Sequence, residues 1–205
     1  MIGLIFATRT EARPFLDWSR AMRIDTKPFG VFQVPSKPEL FVIISGMGKV
    51  ASAVACHCLI KEFKVEEIVN AGACGALRDE KRFAPGELFC ITSASEGDHE
   101  KPGTPRQPLI SDGQFDWDLP AARLMTCDRP VFDADWRSKL AEGGDLVDME
   151  GAAVARVAAM HDVRWSMVKG ITDMAVPTDR AELKRNLTAV SEKICRLLWR
   201  QLRDY

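Results

Sequence analysis

The chain has 205 residues, 46% of them hydrophobic, which suffices to bury a substantial core within one domain spanning 1–205. The formal net charge of −1 provides no basic field to attract nucleic acid or an anionic membrane, so neither is expected as a partner. The first residues, MIGLIFATRTEARPF, lack the basic start, long apolar stretch and small-residue cleavage site of a secretory signal, and no run approaches the roughly 20 apolar residues of a bilayer span. A cytoplasmic location is the default expectation. The six cysteines lie mostly in apolar surroundings and read as free buried thiols. Cys56-His57-Cys58 lacks a second pair at ligand spacing, so no metal is expected.

In chain order, residues 2–7 read as a buried strand and 11–22 as a helix. Strands follow at 30–34 and 40–45, then a Gly46-Met47-Gly48 turn and a helix over 49–63, with Val50, Ala53, Val54 and Leu59 as its apolar stripe. A buried strand starts at 68 and ends in the glycine-rich AGACGAL, and another strand covers 86–94. Residues 95–120, rich in charge, proline and glycine, read as a long irregular loop in which Phe115 and Trp117 are the only aromatics. A strand at 123–127, a short helix at 133–141, a strand at 145–148, a helix at 150–161, a strand at 165–172 and an amphipathic helix at 179–203 complete the chain. Alternating strands and helices predict a three-layer α/β/α arrangement around a central twisted mixed sheet.

Ligands in such sheets gather at the carboxyl ends of the strands. Four of those ends carry suggestive residues: Thr8-Arg9-Thr10-Glu11, Ala73-Cys74-Gly75, Met149-Glu150-Gly151 and Thr172-Asp173-Met174. Each acid also has a structural reading. Glu150 suits the positive end of its helix, Asp173 an N-cap or turn, and Glu11 a solvated first turn. Gly46-Met47-Gly48-Lys49-Val50-Ala51 matches the G-x-G-x-x-G/A dinucleotide fingerprint after a strand, with Glu66 or Glu67 as the acidic ribose partner. A phosphate-binding P-loop fails there, because Val50 replaces the Ser/Thr after the lysine and Ile43 stands at the first glycine.

Four segments together resemble the nucleoside phosphorylase and nucleosidase superfamily, most closely the methylthioadenosine/S-adenosylhomocysteine nucleosidases. They are IGLIFATRTEA, SGMGKVASA, VNAGACGAL, and the pair VDMEGAAVA with VKGITDMA, in the family's order. The resemblance implies the nucleoside phosphorylase fold, a homodimer with the 49–63 helix at its interface, and hydrolysis of a purine nucleoside without metal or organic cofactor. It implies that Glu11 activates water, that Met149 and Glu150 hold the ribose, and that Asp173 helps to protonate the purine, with Thr172 in place of the usual serine. Pro130 and Val131 correspond to the segment facing the base, Ala73 and Gly75 to the glycine-rich wall, and Lys169 to a position where the nucleosidases commonly have arginine. The chemistry suits these residue types. An N-ribosidic bond breaks through an oxocarbenium-like cation, so the leaving base needs a general acid and the water a carboxylate on the other side.

Phosphorolysis of the same bond would need anion ligands. Hexameric family phosphorylases carry an arginine and a serine around the glycine-rich strand, where this chain has Asn70 and Ala73. Arg9 and Arg13 remain as alternative phosphate ligands, so hydrolysis is the leading reading and phosphorolysis the runner-up. A nucleoside-binding protein without turnover is a third reading. In the nucleosidases the 5′ group is met by apolar residues of a long loop, here 95–120, which is shorter and more polar; futalosine- and hopanoid-linked substrates therefore stay open.

Overall fold

A computed structural model describes residues 1–25, 28–99 and 107–203. Its elements in chain order are β1 (Ile2–Phe6), α1 (Arg9–Ser19), β2 (Met22–Asp25), β3 (Gly30–Val34), β4 (Lys37–Ile44), α2 (Lys49–Glu62), β5 (Glu67–Ala76), β6 (Leu88–Glu96), β7 (Leu109–Ile110), β8 (Ala121–Thr126), α3 (Ala134–Gly143), β9 (Leu146–Asp148), α4 (Gly151–Met160), β10 (Arg164–Asp173) and α5 (Arg180–Leu202).

The strands form one mixed sheet in the order β10-β6-β8-β9-β5-β1-β4-β3-β2. A further parallel pairing of β10 with β5 closes one end on itself, so that β5, β10, β6, β8 and β9 make a circuit, β1, β4, β3 and β2 extend it from β5, and β7 pairs with β6. The predicted α/β layers around a mixed sheet are thus present, with one end of that sheet closed. Strand β5 is the seam. Its first residues pair with β1, nearly its whole length with β10, and Gly75 and Ala76 with β9. Buried on both faces, it is apolar apart from Glu67 at its start and Asn70, as parallel strands tend to be. The glycine-rich AGACGA lies within this strand rather than in a turn after it. Small residues are required there, because a Cβ on Gly72 would stand 2.8 Å from the Glu11 carboxylate and one on Gly75 3.1 Å from that of Asp173.

Helices α2 and α4 cover one face with Ile5, Ile43, Leu59 and Ile68 in the core beneath, and α1 and α5 cover the other over Leu4, Val42 and Val69. Several sequence expectations shift. Helix α1 begins at Arg9 and stops at Ser19, because Arg20 adopts a left-handed φ of 53° that ends the helix and turns the chain into β2. The buried stripe of α2 is Ser52, Ala55, Cys56 and Leu59, whereas Val50 and Val54 are 78% and 49% exposed. Residues small enough to admit α4 closely won that face over the larger valines. Within 95–120, β6 extends to Glu96 and β7 pairs with it. The part described after residue 106 runs past the amino-terminal end of the sheet, where Gln114 N–H donates to Glu67 Oε1 (2.9 Å) and Trp165 N–H to Asp112 Oδ1 (3.0 Å). Phe115 and Trp117 pack there, at the end away from the predicted chemistry. Residues 100–106 of that predicted loop lie outside the described residues. All six cysteines are free thiols, five of them buried.

Candidate active site

Helix α1 starts directly after β1, and its first turn is a capping box. Glu11 N–H donates to Thr8 Oγ1 at 3.3 Å, while Thr8 N–H and its hydroxyl donate to Glu11 Oε2 at 2.8 and 2.7 Å. The other oxygen, Oε1, accepts Ala73 N–H at 2.9 Å. Glu11 is therefore buried and fixed against β5, not solvated. The T-x-x-E spacing of Thr8 and Glu11 permits this clamp without by itself requiring it.

Strand β9 delivers Asp148, Met149 and Glu150 to the start of α4. Glu150 occupies the N-cap position but makes no capping bond with its side chain. Its Oε1 instead accepts Gly48 N–H at 2.8 Å, from the turn between β4 and α2. Gly46 and Gly48 hold left-handed φ angles of 84° and 97°, which orient that N–H. This geometry argues against the dinucleotide reading, because the N–H that would cradle a pyrophosphate is spent on a carboxylate. Glu66 pairs with the chain's amino terminus (2.9 Å) and Glu67 starts β5 at the opposite sheet end.

Beneath Glu150 lies an ion pair that the sequence did not announce. Lys169 Nζ stands 2.7 Å from Asp148 Oδ2, and the lysine is 1% exposed. Thr126 hydroxyl and Gly151 N–H complete the shell of Asp148 at 2.6 and 2.9 Å. Burial alone would lower the Lys169 pKa, but Asp148 and Glu150 hold it above the ordinary lysine value. Glu150 itself is pushed up to about 7, by burial first and by the negative charge of Asp148 second, with Lys169 and the Gly48 N–H opposing and Glu11 adding a little.

Strand β10 ends at Asp173. Thr172 hydroxyl lies 2.8 Å from Asp173 Oδ2 and 3.2 Å from the Cys74 carbonyl, and Asp173 Oδ1 accepts Ala175 N–H at 2.8 Å. The turn that follows carries Ala175 at a left-handed φ of 52°. Arg137 of α3 holds it, donating through Nε to the Met174 carbonyl at 2.9 Å and pairing with Asp79 at 2.7 Å. No local motif marks Arg137, since its partners Asp79 and Met174 follow β5 and β10, far from it in sequence.

Asp173 and Met149 open onto a cleft of about 430 Å³, with Gly75 on one wall and Pro130, Val131 and Phe132 on another. Glu11 and Glu150 lie outside that lining, on the side of β1 and the Gly46–Gly48 turn, as do Ala73, Thr172 and Lys169, which support it from behind. The three acids thus stand at the carboxyl ends of neighbouring strands: Glu11 bonds β5 at Ala73, two residues from Gly75, and Gly75 borders Asp173. Arg9 and Arg13 are not among the residues lining this cleft. They line a separate concavity with Asp17 and Phe32. Asn70 is buried, donating to the Ile5 carbonyl at 3.2 Å.

The sequence model described as Phosphorylase superfamily matches residues 2–203. This chain belongs to the phosphorylase superfamily. A 5′-methylthioadenosine/S-adenosylhomocysteine nucleosidase of Arabidopsis thaliana is 25% identical over 224 residues, spanning 94% of this chain and 87% of the relative. One from Buchnera aphidicola subsp. Baizongia pistaciae is 24% identical over 206 residues, covering 84% and 77%. Among solved structures, a futalosine hydrolase mutant of Helicobacter pylori superposes with a TM-score of 0.89 at 18% identity, covering 100% of this chain and 99% of its own. A mutant H. pylori 5′-methylthioadenosine/S-adenosylhomocysteine nucleosidase with 5′-methylthioadenosine in its active site gives the same TM-score and identity, with 100% and 98% covered. At that identity the likeness establishes the superfamily fold. That fold places the acids of this member at one end of one sheet.

Proposed function

We propose that this member of the phosphorylase superfamily is a purine nucleosidase, hydrolysing the N-ribosidic bond of an adenosine-type nucleoside of the 5′-methylthioadenosine/S-adenosylhomocysteine kind. The observation that carries the reading is the placement of Glu11, Glu150 and Asp173 at adjoining strand ends, each held by backbone N–H groups of another segment or its own turn. In this reading the purine stacks in the cleft beside Pro130 and Val131, with Asp173 delivering a proton to the leaving base. Glu150 and Met149 hold the ribose, and Glu150 sets negative charge near the developing ribosyl cation. Glu11, on the other side, orients and deprotonates water. The named relatives are nucleosidases, which supports hydrolysis.

A second observation favours water over phosphate as nucleophile. The Ala73 N–H, a backbone donor suited to an oxyanion, is already given to the Glu11 carboxylate, and Arg9 and Arg13 line a concavity other than the cleft. A phosphate there would meet a carboxylate rather than a cation. The deciding experiment is release of free base from 5′-methylthioadenosine with and without inorganic phosphate. Release without phosphate, lost by at least a hundredfold in Glu11→Gln and Asp173→Asn variants that keep their fold, is the expected result. A strict phosphate requirement, with 5-methylthioribose 1-phosphate as product, overturns it.

We further infer that two copies associate through the face of α2 that leaves Val50 and Val54 exposed.

A further inference from the structure

The turn Gly46-Met47-Gly48-Lys49 gives its Gly48 N–H to Glu150, which leaves its lysine without a part in the chemistry above. Lys49 is the first residue of α2, where the positive end of the helix disfavours an ammonium and the first turn carries no acid. The ammonium reaches three carboxylates instead: Asp98 Oδ1 at 2.6 Å, Asp128 Oδ2 at 3.2 Å and Glu96 Oε2 at 3.6 Å. Glu96 ends β6, and Asp98 and Asp128 follow the parallel neighbours β6 and β8; Glu96 also stands 3.8 Å from Arg156. The second oxygen of Asp98, Oδ2, accepts Asp128 N–H at 2.6 Å. The Lys49 side chain is only 16% exposed. Burial opposes its charge, yet the hydrogen bonds and charges of Asp98 and Asp128 hold its pKa above the ordinary lysine value. Asp128 in turn directly precedes Arg129, Pro130 and Val131, which line the cleft. One cation therefore joins the turn that fixes Glu150 to the segment assigned to the base.

We propose that Lys49 is a positioning residue of this site: its ammonium ties the Gly46–Gly48 turn to Asp98 and Asp128, and so holds the Pro130–Val131 segment in register with Glu150. The inference rests on the nucleosidase reading and deepens it by naming what sets the base-facing half of the site against the ribose-facing half. Lys49 is not among the residues lining the cleft, so it acts through its neighbours Gly48 and Asp128. Without the ammonium, the carboxylates of Asp98 and Asp128 keep their charges and lose the cation that they share. Their repulsion works against the Asp98–Asp128 N–H bond, and the residues next in line are those that meet the base. A displacement of about 1 Å at a positioning group costs on the order of a hundredfold in rate, so a tie of this kind is felt at the site without touching the substrate.

The test uses three variants. Lys49→Met keeps the aliphatic stem and removes the charge, Lys49→Arg keeps the charge, and Asp98→Asn keeps an acceptor for Asp128 N–H while losing the ion pair. Calorimetry measures the affinity for adenine, steady-state kinetics gives kcat and KM for 5′-methylthioadenosine, and hydrogen exchange follows the peptide over residues 126–132. In Lys49→Met, adenine binding is expected to weaken at least tenfold, KM to rise by a larger factor than kcat falls, and the Asp128 amide to exchange faster. Lys49→Arg recovers most of each loss, and Asp98→Asn falls between. Unchanged adenine affinity and KM in a folded Lys49→Met variant overturn the proposal. So does an equal loss in Lys49→Met and Lys49→Arg, since the shape of the lysine and not its charge would then matter. Should Lys49→Met not fold, Asp98→Asn decides: weaker adenine binding at an unaltered Tm upholds the proposal, and unaltered binding overturns it. Should the wild type neither bind adenine nor release it, the nucleosidase reading falls by itself. Exchange at Asp128 then still decides whether Lys49 holds this segment, and a rate unchanged in the variants overturns the tie.

Discussion

Replacing Lys169 by methionine tests the electrostatic frame of the site. Methionine keeps most of the aliphatic stem and removes the ammonium, so packing changes little while Asp148 loses its partner at 2.7 Å. The Asp148 side chain is 0% exposed, so water cannot replace the lysine without rearrangement. Removing one partner of a buried pair costs about 3–5 kcal/mol, because the other charge remains without compensation. Asp148 retains the Thr126 hydroxyl and the Gly151 N–H, which places the cost near the lower figure, about 3 kcal/mol. For a chain of this length that is a loss of roughly 6–12 °C in Tm. Thermal unfolding followed by circular dichroism measures it. A second variant, Lys169→Met/Asp148→Asn, removes both charges and is expected to recover more than half of the loss. A Tm within two degrees of wild type for Lys169→Met, or a double variant no better than the single, refutes the account of a buried charge needing its counter-ion.

Glu150, pushed up to about 7 from 4.5, gives a pH dependence with a definite sign. Across that window the folded state holds a proton that the unfolded state has released, so stability falls as pH rises from 4.5 to about 7, by at most roughly 3 kcal/mol, and the slope flattens in Glu150→Gln. Urea titrations at several pH values read this directly. In kcat/KM, ionisation of Glu150 should appear as a limb rising through neutral pH that the same variant lacks. Gly72→Ala places a methyl group 2.8 Å from Glu11 Oε1 and should cost at least tenfold in kcat with a smaller effect on KM; unchanged base release would show that the Glu11 clamp is not needed. Val50→Asp, on the exposed face of α2, should convert a dimer into monomers in light scattering without lowering helix content, and an unaltered mass for wild type and variant rules that face out as the contact.

The sequence revealed most elements because strands buried on both faces and helices with small-residue stripes leave local patterns. Glu11, Glu150 and Asp173 were legible as acids just beyond strand ends, whereas the capping box of Thr8 with Glu11 emerged only with the structure. Three features were hidden for physical reasons. The end of α1 rests on Arg20 in a conformation that favours glycine, so composition predicts a longer helix and misses β2. Closure of the sheet depends on β5 pairing with β10 across 97 residues or so, for which a single chain carries no local sign. The aromatics Phe115 and Trp117 follow the charged stretch in sequence, yet the chain carries them to the far end of the sheet, so their nearness to a functional loop did not imply a place in the cleft.

The ion pair of Asp148 with Lys169 also explains how two carboxylates can approach one sugar. Without the lysine, Asp148, Glu150 and Glu11 would bring three carboxylates to neighbouring strand ends with no ammonium beside Asp148 to offset them. With it, Asp148 is neutralised and becomes a fixed acceptor that orders the start of α4 through Gly151 N–H. Burial and the charge of Asp148 hold the Glu150 pKa above the ordinary carboxyl value, against the pull of Lys169. A carboxylate poised in that way gains charge in response to a positive neighbour, and the ribosyl centre becomes positive only as the bond to the base lengthens. Its attraction is therefore greater for the transition state than for the bound nucleoside, which is the condition for raising kcat rather than merely lowering KM.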